Sequence, residues 1–209
     1  MATVLNPPEQ RVLLQDINWE TYESILEAHK SRSVPHFTYD GGLLEIMSPS
    51  AEHENLNRTA ASLVEVVAEE MALDMMNLGS TTFRREDLKR GFEPDSCFYV
   101  QSVERVRGKT ELDMTVDPPP DLLIEIDITS PSINRFPLFA QLGVPEVWRY
   151  DGKRWMILAL EGGEYAERKE SIALPGLTAA RIGRFVEEGR TMRRPEWLRW
   201  VRDSVRQSE

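Results

Sequence analysis

The sequence predicts a mixed α/β fold, a central sheet flanked by helices, with an N-terminal hairpin and C-terminal helices. Three observations predict it. Leu122, Ile124, Ile126 and Ile128 fall on one parity of the stretch from Pro120 to Thr129, and Leu123, Glu125, Asp127 and Thr129 fall on the other, as in a strand with one wholly apolar face. Leu56, Ala60, Leu63, Val64, Val67 and Met71 recur at helical spacing. Phe37 to Tyr39 and Leu43 to Met47 flank Asp40-Gly41-Gly42, a tight hairpin turn that needs positive φ.

The elements follow in order. Residues 1–17 contain prolines and are expected to be extended, with little to pack. Asn18 is a natural N-cap for a first helix that sets Trp19, Tyr22, Ile25, Leu26 and His29 near one face, His29 being a surface or boundary residue. After the hairpin, Ser48-Pro49-Ser50 breaks the strand and opens the longest helix, about residues 51–72. Its first turn carries Glu52, His53 and Glu54, acids that the helix dipole favours there. Asp74 to Leu78 and Ser80 to Phe83 read as strands separated by Gly79, and Arg84, Arg85, Lys89 and Arg90 follow as a basic loop interrupted by Glu86 and Asp87. Cys97 to Val100 is a short apolar strand, and residues 101–120 are a surface excursion ended by three prolines. Beyond the carboxylate strand, the hydroxyls of residues 129–132 would cap a short helix with Phe136, Leu138, Phe139 and Leu142 on its apolar face, closed by Gly143. Strands at 144–150, 154–160 and 164–168 form an antiparallel meander, with Trp148 and Trp155 as packing residues. Two helices, about 179–188 and 195–206, close the chain, the second with Trp197, Trp200 and Val201 on one side. That stripe would offer a contact for a homodimer if exposed, and otherwise packs on its own core.

The anomaly is the pair Glu125 and Asp127, projecting from one face of a strand otherwise fit for the middle of a sheet. Desolvating a charge costs several kcal/mol unless it is paired, ligated or neutralised. If the strand opened by Asp95 is its neighbour, Asp95, Glu125 and Asp127 can converge, and three acidic oxygens suit Mg²⁺ or Mn²⁺. The alternative is that Asp95 is a turn residue after Pro94 and that Asp127 pairs with an arginine.

Composition bounds the rest. At 209 residues and 41% hydrophobic content the chain suits one domain with a sizeable core. No apolar run approaches a membrane span, and Met1 to Gln10 lacks a basic start followed by an apolar stretch, so a cytoplasmic protein is expected. The lone Cys97 cannot form an internal disulfide and reads as a small buried hydrophobe. A net charge of −10 argues against a broad basic surface gripping nucleic acid. The charge is bipolar, however: eight arginines against four acids between Arg181 and Arg206, and seven acids against one arginine from Asp40 to Glu70.

The run Tyr39-Asp-Gly-Gly-Leu-Leu-Glu-Ile-Met-Ser-Pro-Ser50, then His53-Glu54, Arg90-Gly-Phe-Glu-Pro-Asp95, Asp117-Pro-Pro-Pro-Asp121 and Gly143-Val-Pro-Glu-Val-Trp-Arg-Tyr-Asp151, resembles the Uma-two family of the PD-(D/E)XK, restriction-endonuclease-like superfamily. The resemblance runs from about Trp19 to about Trp200. It implies a restriction-endonuclease-like core with a metal held by acidic residues on the sheet, Asp95 matching the motif aspartate and Glu125 the motif glutamate. A glutamate of the first core helix often completes such a site, and Glu54 matches it. The sequence departs from the superfamily where the motif lysine is expected, at Asp127; in this branch the lysine looks relocated to the position of Arg135. Arginine keeps the charge but cannot act as a general base.

Two functions therefore compete. In the first, a metal-dependent nuclease, Asp95 and Glu125 hold Mg²⁺ or Mn²⁺, Glu54 or Asp127 completes the ligand set, and Arg135 with Arg84, Arg85 and Arg90 meets the phosphates of nucleic acid, DNA ahead of RNA. In the second, the same scaffold binds nucleic acid or a protein without cleaving anything.

Overall fold

In a computed structural model, residues 9–129 and 132–207 are described, and they form two sheets and six helices. The elements are β1 (Gln10–Leu14), α1 (Trp19–His29), β2 (His36–Asp40), β3 (Leu43–Ser48), α2 (Ala51–Glu70), β4 (Met76–Gly79), β5 (Phe83–Arg85), β6 (Arg90–Phe92), β7 (Ser96–Tyr99), α3 (Val103–Val106), β8 (Leu122–Ile126), α4 (Phe136–Leu142), β9 (Glu146–Tyr150), β10 (Trp155–Glu161), β11 (Glu164–Arg168), α5 (Ala179–Thr191) and α6 (Arg194–Arg206). The architecture is the mixed α and β one of a restriction-endonuclease-like fold.

The larger sheet runs β11-β10-β9-β8-β7-β4 and places the carboxylate strand β8 in its interior. β8 is parallel to β9, with α4 as the crossover, and antiparallel to β7. The even parity of β8 is apolar for a physical reason: Leu122, Ile124 and Ile126 pack with Phe98, Trp148 and Ile157 against α2, α5 and α6. The odd parity begins apolar too, Leu123 packing with Cys97, Val147, Phe139 and Phe92. The smaller sheet, β1-β3-β2-β6-β5, carries the hairpin on Gly41 (φ 53°) and Gly42 (φ 105°).

Asn18 caps α1 by accepting from the Thr21 amide at 2.8 Å, and Ser50 caps α2 by accepting from the His53 amide at 3.2 Å. Trp148 and Trp155 are buried, Cys97 is fully buried with its thiol pushed up to about 12 by that burial, and the three-strand meander is present. Trp197 is buried in the chain's own core and donates from Nε1 to the Phe185 carbonyl at 2.7 Å, so the C-terminal aromatic stripe is spent at home.

Four local expectations need correction. The N-terminal segment is not an idle extension: its first eight residues lie outside the described ones, but β1 pairs with β3 from Ser48 to Leu44. The strand expected at 80–83 begins at Phe83 and belongs to the smaller sheet, so Arg84, Arg85 and Arg90 lie on a β5–β6 hairpin instead of a loop. The surface excursion contains the short helix α3, too brief to show a period. Among the described residues no hydroxyl caps α4. Residues 130 and 131 lie outside the described ones, the helix starts after Arg135, and it is the Asn134 side chain that accepts from the Phe136 amide, at 3.2 Å.

One stability prediction arises in this packing. A Cβ on Gly189 in α5 would meet Thr59 Cγ2 at 2.6 Å and Trp197 Nε1 at 2.8 Å, whereas one on Gly183 would meet Trp155 Cδ1 at 3.4 Å. Alanine is favoured over glycine in a helix by about 1 kcal/mol, but overpacking a rigid junction costs about 1–3 kcal/mol. Gly183→Ala should therefore be neutral or stabilising and Gly189→Ala destabilising, as read from urea midpoints at unchanged slope.

Candidate active site

The site grows from the β7–β8 pairing. Ser96 faces Ile124, so Asp95, one residue before β7, falls opposite Glu125 and on the same side of the sheet. Asp95 is no exposed turn residue: it is 2% exposed, and its Oδ2 accepts from the Ile126 amide at 2.7 Å. Its carbonyl accepts from Asn57 Nδ2 at 2.9 Å, and Asn57 Oδ1 accepts from Ser96 Oγ at 2.8 Å, which ties α2 to the start of β7.

Two histidines flank this carboxylate. His53, wholly buried in the first turn of α2, places Nε2 3.2 Å from Asp95 Oδ2 and 3.6 Å from Glu9 Oε1. His36 Nδ1 lies 3.5 Å from Asp95 Oδ1. Burial opposes the charge of Asp95, but the two histidines outweigh it and hold the carboxyl well below the usual range. His53 is the converse case: burial disfavours its charge, while Asp95 and Glu9 hold its pKa above the ordinary imidazole value.

Glu125 is 1% exposed and has Arg135 Nη2 2.6 Å from its Oε2, yet neither of its oxygens has an aligned hydrogen-bond donor. Burial, the largest cause, pushes its pKa well up, Arg135 pulls it down, and Asp95 and Asp127 push it up again, so that it stands well above the usual carboxylate value. That same nitrogen is 3.1 Å from Asp127 Oδ1, and Asp127 Oδ2 accepts from Arg149 Nε at 2.8 Å. Arg135 itself is 5% exposed and lies at the N-cap position of α4, over the C-terminal end of β8.

The expected convergence of three carboxylates is corrected by these contacts. Among the described residues no three His, Cys, Asp or Glu side chains are grouped so as to hold a metal. Asp127 is turned onto two arginines, as the bland reading of that residue has it. Asp95 and Glu54 line one cavity of about 620 Å³ with His36, Ser50, Asn57 and Arg58; Glu125, Asp127 and Arg135 line another of about 480 Å³ with Phe136, Phe139 and Arg149. Glu54 is partly exposed and pairs with Arg58 at 3.2 Å. The donor chemistry nevertheless fits a hard cation in part. Asp95 Oδ1 and both Glu125 oxygens are buried acceptors with no aligned hydrogen bond, the Arg135 guanidinium being ion-paired to Glu125 Oε2, and Mg²⁺ is commonly held by one or two carboxylates, with water and phosphate completing its shell.

The basic residues are placed differently from expectation. Arg84 pairs with Glu23 at 3.3 Å, Arg85 with Asp87 at 2.6 Å, and Arg90 with Asp40 at 2.8 Å and with Gln141. None of the three lines either cavity. The C-terminal arginines fasten α6 to α2, Arg202 to Glu69 at 2.9 Å and Arg206 to Glu70 at 2.6 Å, so the bipolar charge pattern is largely an internal complement.

A family model for Uma2, described as "Putative restriction endonuclease", matches residues 19–182. The chain belongs to the Uma2 family. No curated protein matches it. The Uma2 match includes Asp95, Glu125, Asp127 and Arg135, and it begins after the strand β1.

Three buried charges of the site were not singled out from the sequence. Arg11 on β1 places Nη1 2.9 Å from Glu45 Oε1 and Nη2 3.4 Å from Glu9 Oε2, while Thr129 Oγ1 donates to Glu9 Oε2 at 2.5 Å. Glu45 carried a signal: it stands inside the apolar run Leu43 to Met47, much as Glu125 stands inside Leu122 to Ile126. Glu9 and Arg11 carried none, because they adjoin Pro7-Pro8 in a stretch without apolar periodicity.

Proposed function

We propose that the chain is a metal-dependent nuclease that hydrolyses phosphodiester bonds of nucleic acid, DNA ahead of RNA. The observation that carries the proposal is the buried cross-strand pair Asp95 and Glu125, in which Asp95 Oδ1 and both Glu125 oxygens lack an aligned hydrogen-bond donor, in a protein of the family described as "Putative restriction endonuclease". Asp95 and Glu125 would hold Mg²⁺ or Mn²⁺, with Glu54 at the mouth of the Asp95 cavity. Such an ion, when bound, lowers the pKa of its water and stabilises charge on phosphate.

The chain's own residues do the rest. Ile126 N–H and the histidines keep Asp95 ionised and fixed. Arg135 neutralises the sheet-end carboxylates; it cannot take a proton from water, so no side-chain base is assigned to it. Arg84, Arg85 and Arg90 would meet a duplex only by exchanging their present acidic partners, which favours contact at low ionic strength.

One observation favours a second reading, a nuclease-like module that binds without turnover: the guanidinium of Arg135 already sits against Glu125 and Asp127. The test is cleavage of labelled single- and double-stranded DNA and RNA with Mg²⁺ and Mn²⁺, alongside Mn²⁺ calorimetry. Asp95→Asn and Glu125→Gln should each remove Mn²⁺ binding and cleavage; Glu125→Gln should leave the fold at least as stable, because it removes a buried charge that burial disfavours, whereas Asp95→Asn gives up a carboxylate that its histidines stabilise and should be the less stable of the two. Mn²⁺ titrations alike in wild type and both variants would remove the metal; nucleic-acid binding without products from any substrate would leave the second reading.

A further inference from the structure

The two oxygens of Asp95 are engaged unequally. Oδ2 accepts from the Ile126 amide at 2.7 Å and has His53 Nε2 at ion-pair distance, 3.2 Å, without an aligned hydrogen bond, whereas Oδ1 has no hydrogen-bond donor and has His36 at 3.5 Å. His53 is itself held from the far side. Its Nε2 lies between Asp95 and Glu9, and Glu9 is fixed by Thr129 Oγ1 and by Arg11, which also spans to Glu45. Glu9 is 9% exposed and His53 0%, so none of these contacts is a surface accident. Glu9 and Arg11 precede the stretch that the family model matches, residues 19–182.

We infer that the N-terminal segment is a working part of the site: Glu9 and His53 are positioning residues that anchor Asp95 through Oδ2 and thereby leave Oδ1 as its ligand oxygen. The ligand role of Oδ1 rests on the metal-dependent reading; the anchoring does not. Supporting partners of metal-ligating side chains commonly contribute 10- to 100-fold to metal affinity, because they fix the ligand's orientation. Here the support is relayed from a strand outside the matched stretch, so the pairing of β1 with β3 in effect sets the geometry of a carboxylate on the other sheet.

The variants are Glu9→Gln, His53→Gln and His53→Ala, with Val12→Ser as an exposed control on β1, the strand that follows Glu9. The first readout is the ¹³Cγ resonance of Asp95 at one fixed pH, which needs neither metal nor activity. It should move in Glu9→Gln, a variant that does not touch Asp95, move further in His53→Ala, and stay in place in Val12→Ser. His53→Gln, which keeps a side-chain N–H for Oδ2, should restore most of the wild-type position. An Asp95 resonance indifferent to both Glu9→Gln and His53→Ala overturns the inference, and so does one unmoved by Glu9→Gln should His53→Ala fail to fold.

The second readout is Mn²⁺ affinity and cleavage, where His53→Ala should lose about tenfold or more in both, with KM for nucleic acid unchanged. Loss of nucleic-acid KM alone, with Mn²⁺ affinity intact, also overturns it. If the wild-type protein neither binds Mn²⁺ nor cleaves, the nuclease reading fails while the Asp95 resonance still decides the anchoring.

Discussion

Arg135→Ala is expected to lower unfolding stability by about 3–5 kcal/mol, the usual cost of breaking a buried ion pair by removing one partner. Arg135 is 5% exposed, and its Nη2 serves Glu125 at 2.6 Å and Asp127 at 3.1 Å. Alanine leaves a void at the end of β8 and a carboxylate pair without its shared cation. The loss should fall toward the lower figure for two reasons. Glu125, whose pKa is already raised by burial, can take up a proton, and Asp127 keeps Arg149 at 2.8 Å. Arg135→Lys retains the charge but not the planar fork, and should cost about 1–2 kcal/mol. Guanidinium midpoints at pH 7 check both; an Arg135→Ala loss below about 1 kcal/mol would mean that the arginine is not what balances these acids. Because the alanine variant confounds stability with chemistry, cleavage at this position is best compared between arginine and lysine. The lysine variant is expected to match or exceed the wild type, since only lysine can share in proton transfer.

Glu146→Ala is expected to cost on the order of 3 kcal/mol, although Glu146 touches neither cavity. Its carboxylate accepts from Trp148 Nε1 at 2.7 Å, from Ser171 Oγ at 2.5 Å and from the amides of Ile172 and Ala173, and so pins the segment after β11 to the central sheet. Each buried donor left unmade costs about 1–3 kcal/mol, partly recovered where water enters. Glu146→Gln keeps one acceptor oxygen and should lose less.

The pH dependence follows from the direction of the shift. Burial raises the Glu146 pKa above the usual carboxylate value, against the four donors that lower it. A group whose folded pKa is raised contributes stability fully below its unfolded pKa, about 4.3, and that contribution fades as pH rises through the folded value. The advantage of wild type over Glu146→Gln should therefore be largest near pH 4 and shrink toward neutrality. A series of urea midpoints from pH 4 to 8 measures it, and an advantage that grows with pH would reverse the assignment.

Much of the architecture was legible in local pattern. The parity of Leu122 to Thr129 marked a strand with one apolar face, the Asp40-Gly41-Gly42 turn marked a hairpin, and the six-residue helical stripe from Leu56 to Met71 marked α2. Each rests on backbone periodicity or on a conformational demand carried by a few adjacent residues. Asp95 and Glu125 were legible as a site for a related reason, since charge inside an apolar strand is costly and demands a partner.

What the sequence by itself determined, then, was the longer helices, the N-terminal hairpin and the central strands, and that the carboxylates of β8 had to be answered by something. Only the tertiary structure decided what answers them. Arg135 and Arg149 meet Asp127 because the parallel crossover through α4 returns the chain beside β8, and His53 meets Asp95 because Asn57 docks α2 on the start of β7. Glu9 joins them from a segment with no periodicity of its own, because β1 pairs with β3, from Gln10 with Ser48 to Leu14 with Leu44. Partners brought together over such separations leave no mark in local pattern, since the free energy that selects them belongs to the pairing of elements and not to any one stretch of chain.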